Sequence, residues 1–424
     1  MKTDILIVGC GVSGLYCALN LPRDKRVLIV TKDDADKSDS YLAQGGICVL
    51  RDEQDYDSFF EDTMRAGHYE NNKRSVDIMI RSSRAVIEDL VACGVEFAKN
   101  GSDFAYTKEG AHSAPRILFH EDETGREITS HLLETVKKCP NVTVFEHFTM
   151  VDILTRDNTC YGIVGHDREG HYKTVEADYT VLATGGIGGL FEHSTNYRHL
   201  TGDAIALALK HGIALQHIDY IQIHPTTLYT KEEGREFLIS ESVRGEGAIL
   251  LNHKGERFVN ELLPRDVVAN AIFDEMKKEG KPHVWLSLER IPREEIIHHF
   301  PHIYERCLQE GYDITREPIP VVPSQHYFMG GVDVNEHSKT SMERLYAVGE
   351  TACNGVHGRN RLASNSLLES LVFARRAALD LTANYQKAPE WGEFSVDADR
   401  YRDYRESYKT AVLVAIEKER QSHG

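Results

Sequence analysis

Residues 5–14 read Ile5-Leu6-Ile7-Val8-Gly9-Cys10-Gly11-Val12-Ser13-Gly14, and this stretch decides the fold. Its four apolar residues predict a strand over residues 4–8 that is buried on both faces, as strands of parallel sheets are. Three glycines follow in the order G-x-G-x-x-G, and apolar residues at helical spacing come next. A second apolar strand is expected over residues 27–30. This β–turn–α–β order predicts an α/β protein with a parallel sheet.

The glycines have distinct roles at a phosphate-binding turn. Gly9 permits the tight turn, Gly11 lets the backbone approach a pyrophosphate, and Gly14 lets the helix pack closely on the strand. The helix begins at Val12 and Ser13, where free N–H groups and the positive end of the helix dipole attract phosphates. The motif therefore predicts a dinucleotide site at the end of the first strand.

The residues that follow leave two cofactors open. A ribose-binding acid is expected at the end of the second strand, but this chain has Lys32, which suits a 2′-phosphate and keeps an NADP enzyme possible. The pair Gly45-Gly46 favours a flavin instead, because paired glycines let a flat ring lie on bare backbone. A helix capped by Ser364 or Asn365 is expected to direct its N-terminus at the flavin and stabilise the reduced ring.

Two later strands belong to the same predicted sheet. Apolar runs over residues 179–183 and 345–348 each lead into a glycine turn. The dinucleotide-binding domain is therefore expected to be discontinuous and Rossmann-like, with an inserted α+β capping domain and a short C-terminal helical tail. The predicted boundaries are 1–217 and 328–385 for the two parts of the first domain, 218–327 for the capping domain, and 386–424 for a truncated helical region. Helices are expected over residues 366–385 and 399–420.

Composition excludes several classes of partner. The formal charge of −17 argues against nucleic acid and anionic membranes, and no apolar run approaches the ~18 residues that span a bilayer. The eight cysteines form no C-x-x-C pair, which argues against zinc and iron–sulfur sites and fits a reducing cytoplasm. Three histidines near Phe300-Pro301 have metal-like spacing, but no acid or cysteine completes the set, so no metal is expected.

Five longer motifs carry a family resemblance. They are Ala43-Gln44-Gly45-Gly46, His224-Pro225-Thr226, Arg244-Gly245-Glu246-Gly247-Ala248, Pro264-Arg265-Asp266 and HGRNRLASNSLLE over residues 357–369. In this order they resemble the flavoprotein family of succinate dehydrogenase, fumarate reductase and L-aspartate oxidase, over nearly the whole chain to about residue 375. Within the family the chain looks most like the aspartate oxidases. The resemblance implies an FAD-dependent oxidoreductase.

The resemblance also implies that the FAD is non-covalent. Covalent members carry a flavin-linking histidine four residues before the alanine of the Ala-Gln-Gly-Gly motif, and this chain has Asp39 there, which has no imidazole nitrogen to attach. The residues expected to bind FAD are Gly9, Gly11, Val12, Ser13, Gly14, Lys32, Ser40, Ala43, Gln44, Gly45, Gly46, Gly185, Gly186, Asp203, Glu350, Ser366 and Leu367.

A four-carbon dicarboxylate needs cationic groups at both ends, since a guanidinium pairs with both oxygens of a carboxylate. The substrate-binding residues implied by the family motifs are His224, Thr227, Ser240, His326 and Arg361. Arg265 is expected to bind the substrate and to serve in proton transfer. Because the pKa of arginine lies above about 12, a role in orientation alone stays open.

Glu109 is the second predicted catalytic residue. Aspartate differs from succinate by one ammonium group, and burying an unpaired cation costs several kcal/mol. Aspartate oxidases place a glutamate at this point of the chain. Nearby, Arg244 and Glu246 are expected to pair and to fix their loop.

The expected reaction is oxidation of L-aspartate to iminoaspartate, with oxygen (giving hydrogen peroxide) or fumarate as the acceptor. This is the first step of de novo NAD synthesis, and the product is expected to pass to quinolinate synthase. Two alternatives remain at this point: a soluble fumarate reductase or succinate-oxidising flavoprotein, and a non-catalytic flavin-binding assembly factor.

Overall fold

A computed structural model describes residues 1–230, 234–389 and 396–423. The strands in chain order are β1 (Lys2–Val8), β2 (Val27–Val30), β3 (Ile47–Cys48), β4 (Lys99–Asn100), β5 (Asp103–Phe104), β6 (Ile117–Leu118), β7 (Val142–Phe145), β8 (Thr149–Arg156), β9 (Thr159–His166), β10 (Tyr172–Leu182), β11 (Leu215–Gln216), β12 (Ile221–Leu228), β13 (Phe237–Leu238), β14 (Ile249–Leu251), β15 (Val284–Ser287), β16 (Ile319–Phe328), β17 (Gly331–Asp333), β18 (Leu345–Ala347) and β19 (Ala352–Cys353).

The helices connect these strands and cover both faces of the larger sheet. They are α1 (Val12–Asn20), α2 (Tyr56–Ala66), α3 (Lys73–Ala92), α4 (Thr124–Lys137), α5 (Asp203–His211), α6 (Glu241–Gly245), α7 (Arg265–Glu279), α8 (Arg293–His299), α9 (Pro301–Gln309), α10 (Ser366–Ala383) and α11 (Tyr404–His423). Among the described helices, none combines the length and the apolar character that crossing a bilayer requires.

The larger sheet has the order β7-β2-β1-β10-β9-β8, with β18 beside β10. The strands β7, β2, β1, β10 and β18 are parallel to one another, which confirms that the predicted buried strands share one sheet. Strand β10 is longer than predicted, because its first half pairs antiparallel with β9. This hairpin extends the sheet at the side away from β1.

The first strand shows why the sheet needs two layers of helices. Ile5 and Ile7 pack into one core, which α1, α3, α4 and α10 help to form, while Leu6 and Val8 pack into the other core with α5 and α11. All four side chains are buried. Continuous burial of successive residues is typical of a central parallel strand, as the apolar run predicted.

A second, antiparallel sheet has the order β13-β12-β16-β15-β14. It has its own core with α7, α8 and α9, in which Val268, Ile272 and Leu286 are fully buried. Except for Phe328, its strands fall within residues 218–327. We propose this range as the capping domain, because its strands and core form a unit that covers the ends of the parallel strands.

The C-terminal region differs in detail from the prediction. Helix α10 ends at Ala383 rather than at residue 385, and the last helix begins at Tyr404 rather than at residue 399. The expected first turn of that helix is instead a 3₁₀ turn over Ala398–Tyr401, which the side chain of Asp397 caps. Helix α11 packs on α5 through Val412, so this region adds to the core beside the sheet.

A buried ion cluster fixes the segment that carries Glu109. The guanidinium of Arg116 donates to Asp55 at 3.0 Å and to Asp62 at 2.7 Å, and these side chains are at most 1% exposed. Asp62 also accepts the backbone N–H of Ser113 at 2.7 Å. These contacts attach the segment before β6 to α2, and therefore set the position of the loop in which Glu109 lies.

Substitution Arg116→Leu should lower the free energy of unfolding by about 3 kcal/mol, since it removes the buried cation that Asp55 and Asp62 share. The more exposed Arg51 and Arg65, which also pair with these carboxylates, remain. Thermal unfolding of the holoprotein measures this loss. The matched control is Arg126→Leu, which breaks a solvent-exposed pair with Glu123 and should change stability by less than about 1 kcal/mol. Equal melting temperatures for the two variants would contradict the structural role of Arg116.

Candidate functional site

A cavity opens where the carboxyl ends of the parallel strands meet the capping sheet. Its lining includes the glycine turn after β1 and buried side chains of the capping sheet, so one space joins a dinucleotide-binding turn to polar side chains. Its position agrees with the general rule that α/β sheets bind ligands outside the carboxyl ends of their strands.

The glycine turn has the close packing that the motif predicts. Gly9 has φ +118°, and a Cβ atom there would collide with the carbonyl oxygen of Ala183 on the neighbouring strand. A Cβ atom on Gly14 would collide with the carbonyl oxygen of Gly9. Both positions therefore require glycine, and the backbone turn they form is open to a ligand.

Most of the residues predicted to bind FAD line this cavity. They are Gly9, Gly11, Ser13, Lys32, Ser40, Ala43, Gln44, Gly45, Gly46, Gly185, Asp203, Glu350, Ser366 and Leu367. Three others lie outside the lining: Val12, Gly14 and Gly186. Val12 donates its backbone N–H to Ser40 Oγ at 3.3 Å, and Gly186 makes room for the carboxyl group of Glu350. These three residues contact residues of the lining rather than the cavity itself.

Lys32 is neutralised within the protein. Its ammonium group donates to Asp203 at 2.8 Å and to the carbonyl oxygen of His199 at 2.8 Å. A lysine paired in this way offers less to a 2′-phosphate than a free cation does. The sequence argument for an NADP enzyme, which rested on this residue, therefore loses its support.

Polar atoms in the lining fit a polyhydroxylated, hydrogen-bonding cofactor. Among the described residues, Ser38 Oγ, Asp39 Oδ2 and Gln44 Oε1 are buried without a hydrogen-bond partner. Burial raises the pKa of Asp39 and of Glu350, so both carboxyl groups can donate as well as accept. Because buried polar groups are nearly always paired, we infer that FAD supplies the missing partners.

At the capping side of the cavity, two histidines face each other. The rings of His224 and His326 lie 5.0 Å apart between centroids; His224 is fully buried and His326 is partly buried. His224 Nδ1 contacts the backbone N–H and the carbonyl oxygen of Thr226, both at 3.1 Å, and among the described residues Nε2 has no partner. His326 Nδ1 contacts the hydroxyl of Thr195 at 2.7 Å.

The same histidines are neutral rather than cationic. Burial lowers the pKa of His224 and of His326, and the positive charges of Arg265 and Arg361 lower it further. A neutral imidazole that presents an N–H to the cavity binds a carboxylate oxygen without adding to the charge repulsion between the arginines. The pair is therefore suited to one carboxylate of a substrate.

Arg265 is the first residue of α7 and points into the cavity from the capping domain. Its Nε donates to Glu241 over a short contact, and its Nη1 donates to Gln222 Oε1 at 2.8 Å. Burial opposes ionisation of Glu241, but Arg265 and Arg244 outweigh this effect and lower its pKa. The guanidinium is thus fixed on one side and presents Nη2 to a ligand.

Arg361 lies on the other side, just before the flavin-facing helix α10. Its guanidinium sits 4.4 Å from the ring centroid of Tyr327, and its Nη1 donates to Ser366 Oγ at 3.2 Å. Burial, followed by repulsion from Arg265, lowers its pKa to about 10. Arg361 therefore still carries its positive charge at neutral pH. Together with Arg265, it gives the cavity two buried arginines, which favour an anionic ligand.

Glu109 lines the same cavity and is fully buried. Its carboxylate accepts two hydroxyl hydrogen bonds, from Ser242 at 2.8 Å and from Ser364 at 2.6 Å. A Cβ atom on Gly45 would collide with Glu109 Oε1, so the glutamate reaches the glycine pair on which the flavin ring is expected to lie. The acid therefore stands between the substrate and cofactor parts of the cavity.

One prediction about residues near the site is wrong. Arg244 pairs with Glu241 at 3.3 Å rather than with Glu246, because residues two apart on a helix point to different sides. The predicted cap of α10 is confirmed in position, since Asn365 is the N-cap residue, but its side chain contacts Thr63 and makes no capping bond. Ser364 Oγ donates to Glu109 instead and belongs to the site.

Thr227 and Ser240 occupy different positions. Thr227 lies outside the lining, because its hydroxyl donates to the carbonyl oxygen of Val322 and contacts Ser324 Oγ on the neighbouring strand. Ser240 lines the cavity and accepts the backbone N–H of Ser242 as the N-cap of α6. A binding role for Thr227 therefore remains a sequence prediction, whereas Ser240 is positioned to contact a ligand.

Gln222 is a site residue that the sequence interpretation missed. It lies two residues before His224 on β12, where the strand pairing is irregular between Gln222 and Ile223. Its amide group donates to Asn360 Oδ1 and to the carbonyl oxygen of Arg361, both at 2.8 Å. It thus connects Arg265 to the loop of Arg361, and no local pattern indicates it, because these partners are distant in the chain.

The prediction that no acid accompanies the histidines near Phe300 is wrong, because ligand atoms of Glu246, Glu295 and His299 lie within 4.8 Å of one another. His302 instead contacts Glu123 at 3.2 Å, and the ring of His299 stacks on Phe300. No metal site is proposed there.

Acid denaturation should release the flavin completely, because the position of the flavin-linking histidine is occupied by Asp39. The expected result is a yellow supernatant and a colourless protein pellet after acid precipitation of the holoprotein. Colour or fluorescence that stays with the pellet would show a covalent bond to another residue.

Known proteins match this chain over most of its length. A family model described as an FAD binding domain matches residues 4–367. An L-aspartate oxidase of Clostridium perfringens is 50% identical, covering 94% of this chain and 91% of its own. One from Pseudomonas aeruginosa is 40% identical, covering 91% of this chain and 76% of its own. The solved structure of E. coli quinol fumarate reductase has a TM-score of 0.85 at 28% identity, covering 99% of this chain and 74% of its own. The chain therefore belongs to the FAD-binding flavoprotein family that includes the L-aspartate oxidases.

Proposed function

We propose that this chain oxidises L-aspartate to iminoaspartate with FAD as cofactor. The observation that carries the proposal is the composition of one cavity: a glycine turn for the dinucleotide, two buried arginines, two neutral histidines and a buried glutamate. The arginines, the histidines and the glutamate each have a counterpart in a four-carbon amino diacid, and the glycine turn has one in the dinucleotide. The relatives named L-aspartate oxidase support the same substrate.

The two carboxylates of the substrate would be bound at opposite ends. Arg361 and the histidine pair form one anionic subsite, and Arg265 forms the other. Charge-assisted hydrogen bonds from a guanidinium fork are among the strongest in proteins. Their strength is greatest in a buried site, where little water competes.

Glu109 would accept the ammonium group of aspartate. The substrate then brings two negative charges and one positive charge, which complement the arginines and the glutamate. Succinate lacks the positive charge and would leave Glu109 without a partner for its negative charge.

FAD, when bound, would supply the hydride-accepting chemistry of the reaction. The chain supplies orientation, exclusion of water and charge. Arg265 is placed to orient the carboxylate; to accept a proton from the substrate it would first have to pass one of its own to Glu241, with which it makes a short contact. We propose that the capping domain closes over the substrate and excludes water during this step.

The acceptor in the second half of the reaction would be oxygen, giving hydrogen peroxide, or fumarate. Fumarate is a four-carbon diacid and fits the same anionic subsites. We further propose that the enzyme acts in the cytoplasm, where its eight unpaired cysteines would stay reduced. Iminoaspartate would be passed to quinolinate synthase for NAD synthesis.

A soluble fumarate reductase is the second candidate, favoured by the structural similarity to quinol fumarate reductase. Anaerobic addition of L-aspartate, and separately of succinate, to the oxidised holoprotein distinguishes the two. Rapid bleaching of the flavin by L-aspartate is expected. Bleaching by succinate alone would reject aspartate oxidation, and no bleaching by either diacid would favour a flavin-binding protein without this catalytic activity.

A further inference from the structure

The carboxylate of Glu109 is held from two separate parts of the chain. Ser242 belongs to α6 in the proposed capping domain, and Ser364 belongs to the loop before α10. Each hydroxyl donates to a different oxygen, Oε1 at 2.8 Å and Oε2 at 2.6 Å. Both serines are less than a tenth exposed. The two bonds fix the plane of the carboxylate and connect the two parts of the chain across the site.

Ser364 adopts an unusual backbone conformation to reach this position. Its φ angle is +60°, in the left-handed region that non-glycine residues seldom occupy. Such a conformation is unfavourable by itself and persists where the surroundings enforce it. Here it directs the hydroxyl at Glu109 rather than at the end of the helix that follows.

The serines act against an environment that disfavours the charged carboxylate. Burial and the neighbouring carboxylate of Glu241 raise the pKa of Glu109, whereas Ser364, Arg265 and Ser242 lower it. The other titratable groups that interact with Glu109 are Arg244, Arg361 and Cys48. A carboxylate that receives two hydroxyl donors is stabilised in its ionised form, which is the form that an ammonium group requires.

We propose that Ser242 and Ser364 are specificity-determining positioning residues, which keep Glu109 ionised and oriented for the amino group of the substrate. The proposal rests on the proposed oxidation of L-aspartate. It extends that function, because it assigns the choice between an amino diacid and a plain diacid to two hydroxyl groups that need not touch the substrate.

The consequence is a selective effect on one class of ligand. Without its donors, Glu109 takes up a proton more readily and rotates more freely. A protonated carboxyl group no longer neutralises the ammonium of aspartate. Succinate and fumarate have no ammonium group, so their binding through the arginines and histidines should change little.

Three variants test the proposal in the holoenzyme. Ser242→Ala and Ser364→Ala each remove one hydroxyl, and Ser364→Gly removes the hydroxyl while relieving the left-handed backbone. The matched control is Ser324→Ala, which removes a buried hydroxyl on β16 that contacts Thr227 instead of Glu109. The measurements are anaerobic flavin reduction at a series of L-aspartate concentrations and pH values, and succinate affinity from the change in the flavin spectrum.

In each of the three variants, the L-aspartate concentration that gives half the maximal rate of flavin reduction should rise about tenfold or more. A change of this size is expected for loss of a hydrogen bond to a charged group. Succinate affinity should stay within about threefold of wild type. The acid limb of the aspartate profile should move to higher pH, because the pKa of Glu109 rises. Ser324→Ala should leave the ratio of L-aspartate affinity to succinate affinity unchanged. Ser242→Thr keeps a hydroxyl group and should lose less L-aspartate affinity than Ser242→Ala.

The outcomes separate this proposal from the function on which it rests. If wild-type flavin is not reduced by L-aspartate, the proposed function itself fails. If wild type is reduced but the serine variants lose aspartate and succinate affinity equally, or retain the wild-type pH profile, the two serines are structural and the inference is overturned. Agreement between Ser364→Ala and Ser364→Gly assigns the effect to the hydroxyl rather than to the backbone.

Discussion

Replacing Arg265 by glutamine should lower the rate of anaerobic flavin reduction by L-aspartate by between about a hundred- and several thousand-fold. The guanidinium is buried, and its Nε and Nη1 are already engaged by Glu241 and Gln222. Its removal leaves a substrate carboxylate without its cation and takes from Glu241 one of two cations, since Arg244 remains at 3.3 Å. Breaking a buried charge pair costs about 3–5 kcal/mol, and each 1.36 kcal/mol corresponds to a factor of ten in rate.

Arg265→Lys separates charge from geometry. Lysine keeps the positive charge but cannot donate from a planar fork to Glu241, Gln222 and substrate at once, so most of the loss should remain. The matched control is Arg306→Gln, which breaks an arginine–glutamate pair on the surface of the capping domain and should leave the rate within about twofold. A rate close to wild type in Arg265→Gln would remove this residue from the catalytic site.

Replacing Glu109 by glutamine should lower the apparent affinity for L-aspartate, measured by anaerobic flavin reduction, by a factor of about 30 or more. The change keeps the size of the side chain and removes the charge that complements the substrate ammonium. Truncating one partner of a buried charge pair costs about 2–5 kcal/mol, which gives this factor at ten per 1.36 kcal/mol. Succinate and fumarate should bind the variant nearly as well as wild type, or better.

The pH dependence gives an independent check on Glu109. Because burial and Glu241 raise its pKa, the ionised form is present only above that raised value, and the apparent affinity for L-aspartate should fall as the pH is lowered through it. Glu109→Gln should lose this limb of the profile. The matched control Glu246→Gln alters a nearby acid outside the cavity lining. Equal losses for aspartate and succinate in Glu109→Gln would reject the ammonium role.

Strands β1 and β18 and the end of β10 could be predicted from the sequence because each is a continuous apolar run that leads into a glycine turn. The apolar run of β2 was also predicted, whereas β7, which contains a threonine, was not. The first half of β10 was not recognised, since its residues alternate between polar and apolar and resemble an exposed segment. The start of α11 was placed too early for a related reason. Asp397 caps a 3₁₀ turn rather than an α-helix, and composition does not distinguish these two turns.

The charged residues of the site could be predicted because their type follows from the chemistry of a diacid. Their partners could not, since each contact joins segments far apart in the chain. Ser364 to Glu109 spans 255 residues, and Ser242 to Glu109 spans 133. Considering only sequence neighbours, we assigned Ser364 or Asn365 to the cap of α10 and paired Arg244 with Glu246. In the folded protein, the hydroxyl of Ser364 donates to Glu109, and Arg244 pairs with Glu241.

The most direct test of the account measures how tightly the oxidised holoenzyme binds malonate, succinate and glutarate, from the change that each diacid causes in the flavin spectrum. These ligands differ only in the distance between their carboxylates. If Arg361 and Arg265 bind opposite ends of a four-carbon chain beside the flavin, succinate should bind at least about tenfold more tightly than the other two. One added or missing methylene group typically changes recognition in a fitted site by about this factor. Similar affinity for all three, or no change in the flavin spectrum, would contradict it.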